Sequence, residues 1–189
     1  AFILPVAVSR GNDGRIAVAD LGRRCVHLYI PAEKRYVRIT GGKKDVLISP
    51  VGVVFDEALR LYVSDSAGKL FGFDPQGVQR FSVVRAAAEP FLRPTGLAYS
   101  PARKLVYVVD TLADRVHALD TNGGGVFSFG RRGDDAGGFN FPTHIFRSSA
   151  GELYVTNTLA FRVEIFDEEG NAGGSFGTHG DGSGDIAMP

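Results

Sequence analysis

Short apolar runs broken by Gly, Asp, Asn and Pro recur along the chain with a period near 45 residues. One set of runs, at 16–20, 61–65, 106–110 and 153–157, ends on Asp20, Asp65, Asp110 and Asn157, which lie 45, 45 and 47 residues apart. Fifteen or sixteen residues before each stands a proline, at Pro5, Pro50, Pro94 and Pro142, opening a second set at 6–8, 51–55, 95–99 and 143–146. A third set follows at 26–29, 70–73, 116–119 and 163–166, and a more polar fourth set closes each unit at 36–39, 78–84, 126–130 and 172–177. No window of a dozen residues sustains the i, i+3, i+4, i+7 spacing of an amphipathic helix, so the pattern predicts strands.

Four short strands per unit, joined by turn residues, is the period of a propeller blade. Turn signals at 74–77, 121–123 and 168–171 fall between the third and fourth runs, where an antiparallel hairpin needs a residue at positive φ. The run before each Asp is apolar at nearly every position, as expected of a strand covered on both faces, and blades stacked on one another supply that cover. The predicted blades are 5–49, 50–93, 94–141 and 142–188, in one propeller domain over 1–189, with Pro189 opening a fifth repeat.

The units resemble NHL repeats, in which Pro-x-Gly leads an apolar strand, an apolar-Tyr-Val-x-Asp strand follows, and Arg-Val-x-Val-Phe-Asp and Phe-Gly close the blade. The third and fourth units carry the motif best, over 110–120 with Phe129 and Gly130, and over 154–167 with Phe176 and Gly177. The Gly-rich link 130–142 also resembles bacterial NHL connections. The first unit departs from the pattern: Ala7 replaces Gly, and Cys25 stands where Lys69, Arg115 and Arg162 place a basic residue. The resemblance implies an all-β propeller of the kind that usually has six blades. Four units then make an arc of such a ring, a fragment with open faces through which the chain could self-associate; a closed four-bladed ring and an arc closed by dimerisation are the alternatives.

Composition narrows the function. The 189 residues include 21 basic and 21 acidic side chains, so the net charge is zero and a role in neutralising nucleic acid or anionic lipid is disfavoured. With 44% hydrophobic residues the chain can form a core, and the 25 glycines mark turns and Pro-x-Gly strand starts. A single cysteine, Cys25, excludes an intrachain disulfide. No apolar stretch is long enough to span a membrane as a helix, and the residues preceding Pro5 carry no basic segment of a signal peptide.

Candidate chemistry is sparse. Asp20, Asp65, Asp110 and Asn157 read as turn devices whose side chains bond loop backbone, with Lys69, Arg115 and Arg162 as their ion-pair partners or as solvated cations. His27 and His117 occupy the same third-strand position as Phe71 and Glu164 and are expected to be exposed there. His144 stands where Gly52 and Gly96 stand in other units, at the start of the innermost strand, and with Thr95 and Thr143 it is expected to face the central channel. The family resemblance implies that related propeller enzymes gather zinc or calcium ligands in that channel; His144 is one donor, short of the three or more such metals need. The segment 180–185 reads as a flexible link that lacks the residues of a phosphate loop or an EF-hand. The basic pairs 23–24, 43–44, 103–104 and 131–132 are dispersed and lack interleaved aromatics.

These readings favour a non-catalytic binding or scaffolding propeller with a protein partner and no cofactor. The alternative is a metal-dependent lyase or lactonase-like hydrolase using zinc or calcium at His144, and the third reading is an RNA-binding NHL domain. The resemblance implies a periplasmic or extracellular setting of bacterial type.

Overall fold

The computed structural model describes residues 1–43, 45–180, 182, 185 and 186; Pro189, expected to open a fifth repeat, lies outside them. The first sheet contains β1 (Pro5–Arg10), β2 (Ile16–Asp20), β3 (Cys25–Ile30) and β4 (Arg35–Ile39), and the second contains β5 (Pro50–Phe55), β6 (Leu61–Asp65), β7 (Lys69–Phe73) and β8 (Gln79–Val83). A small hairpin of β9 (Arg85–Ala86) and β10 (Glu89–Pro90) precedes the third sheet, formed by β11 (Pro94–Ser100), β12 (Leu105–Asp110), β13 (Arg115–Asp120) and β14 (Gly125–Phe129). A short parallel pair, β15 (Arg131–Arg132) and β16 (Gly138–Phe139), leads to the fourth sheet of β17 (Pro142–Arg147), β18 (Leu153–Asn157), β19 (Arg162–Phe166) and β20 (Ala172–Phe176). Each four-stranded sheet is an antiparallel meander in chain order.

Local chemistry explains the meanders. Each of the hairpin turns within a sheet places one residue in the left-handed region, from Gly14, Arg24 and Lys34 in the first to Gly151, Phe161 and Gly170 in the fourth. The first strand of every sheet shifts register near its opening proline, between Pro5 and Ala7, Pro50 and Gly52, Pro94 and Leu97, and Pro142 and Ile145. Proline has no N–H to give to a ladder, and a bulge beside it bends the inner strand.

Sheets stack face to face, with β1 on β5, β5 on β11 and β11 on β17. Their interfaces form three apolar clusters. Ala17, Ala19, Val26 and Leu28 meet Val53, Val63, Phe71 and Phe73; Tyr62 and Leu70 meet Val106, Val108 and Leu119; Tyr107, Val109 and Val116 meet Ile145, Val155 and Phe166. Successive β-strand residues point to opposite faces, so Tyr62 joins one cluster and Val63 the other. That is why the second strand of each unit is apolar at nearly every position before its terminal Asp or Asn. At the outward sides of the first and fourth sheets Val8, Tyr29, Tyr36, Phe146 and Phe176 remain exposed.

Candidate functional site

One end of every blade is closed by a carboxylate or amide latch. Asp20 accepts from the backbone N–H groups of Ile3, Leu4 and Arg23 at 2.9, 3.0 and 3.0 Å. Asp65 accepts from Ile48, Ser49 and Ala67 at 2.6, 2.9 and 3.0 Å, and Asp110 from Leu92 and Arg93 at 2.8 and 2.7 Å. Asn157 works differently: Oδ1 accepts from Asn140 N–H at 2.7 Å, while Nδ2 donates to Gly138 O at 3.0 Å and to Glu164 at 3.2 Å. All four side chains are fully buried. Each ties the end of the second strand back to the segment entering its own blade, and Asp20 and Asp65 also accept from the following loop, at Arg23 and Ala67. The basic residues nearby pair elsewhere, Lys69 with Asp45, Arg115 with Glu89 and Arg162 with Glu164.

Beneath the latches lie the third-strand residues His27, Phe71, His117 and Glu164. The two histidines, expected to be exposed, are buried, with only 8% and 1% of their surface exposed, because the next strand and the incoming loop cover the outer half of each blade. His27 bonds Tyr36 through Nδ1, and its Nε2 lies 3.3 Å from Asp20 and 3.4 Å from the Sγ of Cys25. In the fourth blade Glu164 engages Asn157 and Arg162.

At the inner strands Thr95, Thr143 and His144 meet Val6, Val51 and Gly96 around a cavity of about 240 Å³. The His144 side chain is exposed, whereas the threonine hydroxyls are used within the fold. Thr95 Oγ1 lies 2.9 Å from Thr111 Oγ1 and donates to Thr143 O at 2.8 Å, and Thr143 Oγ1 lies 2.9 Å from both Thr156 and Thr158 hydroxyls. The described residues contain no group of three or more His, Cys, Asp or Glu side chains placed to hold a metal ion. The segment 180–185 lies partly outside the described residues; within it Asp185 accepts from Thr178 Oγ1 at 2.7 Å and Gly182 N–H at 2.8 Å.

The latched end carries a feature the strand pattern did not single out. Ile3, Leu4, Ile48, Leu92, Leu112 and Leu159 are each about half exposed there. The latches gather them: Ile3, Leu4, Ile48 and Leu92 supply N–H groups to Asp20, Asp65 and Asp110, and Leu112 and Leu159 sit in the turns just after Asp110 and Asn157. A sequence signal did exist, since aliphatic residues at turn positions have no strand face to fill. Of the dispersed basic residues, Arg103 pairs with Glu169, Lys104 with Glu57 and Arg131 with Asp135; Lys44 lies outside the described residues. No helix of the described residues is long and apolar enough to cross a membrane.

No protein-family model matches the chain, and no curated protein matches it. Among solved structures it is similar to a streptogramin B lyase, with a TM-score of 0.73 and 11% identity over 91% of this chain and 54% of that one. It is also similar to an inactive virginiamycin B lyase from Staphylococcus aureus with quinupristin, at a TM-score of 0.73 and 12% identity over 91% and 55% of the two chains. Kuenenia stuttgartiensis hydrazine synthase gives a TM-score of 0.72 and 16% identity over 90% of this chain and 48% of that one. The chain thus spans about half the length of the solved structures it matches. These neighbours are β-propellers, and at such identities the likeness is one of fold: the chain is an all-β propeller built of four-stranded antiparallel blades.

Proposed function

We propose that this chain is a binding propeller that docks a protein partner on its latched end. The observation that carries the reading is the set of half-exposed aliphatic side chains at that end, of which Ile3, Leu4, Ile48 and Leu92 are held by buried carboxylates and Leu112 and Leu159 sit in the turns beside Asp110 and Asn157. Apolar side chains left exposed together at one end of a rigid scaffold are characteristic of interaction sites, and loops on such scaffolds carry function. The NHL-like motif of the third and fourth units supports assignment to the bacterial NHL type, and with it a periplasmic or extracellular setting. The test is co-purification from the native source, followed by reconstitution with the purified partner. Ile48→Glu with Leu159→Glu should abolish binding without altering the fold, since both side chains project outward; a partner retained by that variant, or no partner at all, overturns the reading. Association of copies through the outward faces of the first and fourth blades is a further partner mode, and a concentration-dependent sedimentation coefficient would reveal it.

A second reading is favoured by one observation, the exposed His144 at the inner-strand cavity, together with the lyases among the structural neighbours. On it the chain contributes to a metal-dependent lyase or hydrolase, with zinc or calcium as the metal. Stoichiometric metal lost on His144→Ala would support it. RNA binding, the third reading, predicts retention on a polyanion resin with a steep salt dependence.

A further inference from the structure

At the latched end of the third blade, the segment entering the blade and the turn after Asp110 wall an open cavity of about 400 Å³, with Pro90, Leu92, Leu112 and Ala113 in its lining. Leu92 and Leu112 are each 54% exposed. On the fourth blade Leu159 is half exposed as well, its N–H donating to Asn140 O at 3.1 Å.

Two cations border this surface. Arg93 follows Leu92 and is exposed; its guanidinium lies 5.8 Å from the centre of the Phe141 ring, a cation–π contact with the residue that precedes β17. Among the described residues no carboxylate pairs with it. Arg132 has a side chain 84% exposed and reaches only Asp114, at 4.0 Å. Asp114 closes the turn that carries Leu112, and its Oδ1 accepts from the Phe141 N–H at 3.0 Å. Leu92, Arg93, Phe141, Asp114, Arg132 and Leu112 are thus joined into one surface by chain connectivity and direct contact.

The acids nearby are already engaged. Glu89 accepts from Arg115 at 2.6 Å, Asp135 from Arg131 at 2.9 Å, and buried Asp110 from the N–H groups of Leu92 and Arg93. Asp134 stands over the outer half of the fourth blade, where its carbonyl accepts from Arg162 at 2.9 Å. What the surface presents outward is therefore aliphatic side chains flanked by two cations. Cations without acids of their own are complementary to carboxylates on a partner. A cavity admits a side chain, whereas a bilayer surface is flat. Bases need open aromatic faces to stack on, and the Phe141 ring is taken by Arg93.

We propose that this surface receives an acidic segment of a protein partner, with one bulky apolar side chain in the cavity walled by Leu92 and Leu112 and carboxylates on either side of it pairing with Arg93 and Arg132. The proposal rests on the reading that the latched end docks a protein. The test pans the full chain against a displayed library of random peptides and measures the selected peptide, fluorescein-labelled, by anisotropy. The selected peptides should carry Asp or Glu on both sides of a large apolar residue, and their affinity should fall at least about fivefold when salt is raised tenfold. Arg93→Glu with Arg132→Glu should weaken binding by at least about tenfold. Arg10→Glu with Lys34→Glu, exposed cations at the other end of the first blade, should change it by less than about twofold. Selection of no peptide or of peptides without acids, unchanged affinity in Arg93→Glu with Arg132→Glu, or tighter binding of oligouridylate or phosphatidylserine vesicles than of any peptide would each overturn the proposal. A native partner lost on Ile48→Glu with Leu159→Glu but kept by Arg93→Glu with Arg132→Glu would overturn it while leaving docking at the latched end in place.

Discussion

Gly96 and His144 hold equivalent places in neighbouring blades, and a Cβ on Gly96 would stand 2.7 Å from the Cα of His144. The neighbouring contacts, to Thr143 O at 2.8 Å and Ile145 N at 2.9 Å, are also backbone, so nothing flexible can give way. Gly96→Ala should therefore cost about 1–3 kcal/mol of stability, read as a lower urea midpoint. Gly173→Ala, whose nearest contact would be 3.7 Å away, is the control and should stay within about 0.5 kcal/mol of wild type.

Asp110→Ala strands the N–H groups of Leu92 and Arg93 and should destabilise by about 3 kcal/mol. Asn157→Asp should be destabilising for the opposite reason. It removes the donor to Gly138 O and sets a carboxylate beside buried Glu164, so urea unfolding should show a larger loss at neutral pH than in acid.

Burial opposes ionisation of Asp20, but the N–H groups of Leu4, Ile3 and Arg23 together with His27 outweigh it and hold the carboxyl at about 2 against an ordinary 3.8. A folded-state pKa below the unfolded value contributes stability above the unfolded pKa and loses it as pH falls through the folded one. Stability should thus drop between about pH 4 and about pH 2, and the urea midpoint of Asp20→Asn should fall less steeply across that window.

Cys25 is fully buried beside His27. A thiol reagent should label it only as the first blade opens, at a rate that rises with urea in step with unfolding; rapid labelling in native buffer would contradict the packing described.

Much of the architecture was legible from the repeat. The strand starts at Pro5, Pro50, Pro94 and Pro142 and the ends at Asp20, Asp65, Asp110 and Asn157 coincide with strand boundaries, because proline and a latched carboxylate each interrupt a ladder for local reasons. The doubly apolar second strand foretold stacking on both sides. His27 and His117 were not legible in the same way. A strand position states only which face a side chain takes, and whether that face is covered depends on a loop and hairpin arriving from elsewhere in the chain.

The sequence by itself determined the all-β repeat and the residues that end each strand, since these follow from backbone geometry and from alternation along one strand. Only the tertiary structure decided which groups meet. It set the Asp110 carboxylate against the backbone of Leu92 and Arg93, left the His117 ring unbonded beneath the β9–β10 hairpin, and brought scattered aliphatic turn residues to one end. These are contacts across tens of residues, whose partners depend on how the sheets stack and how the connections cross them, and the repeat pattern carries no record of either.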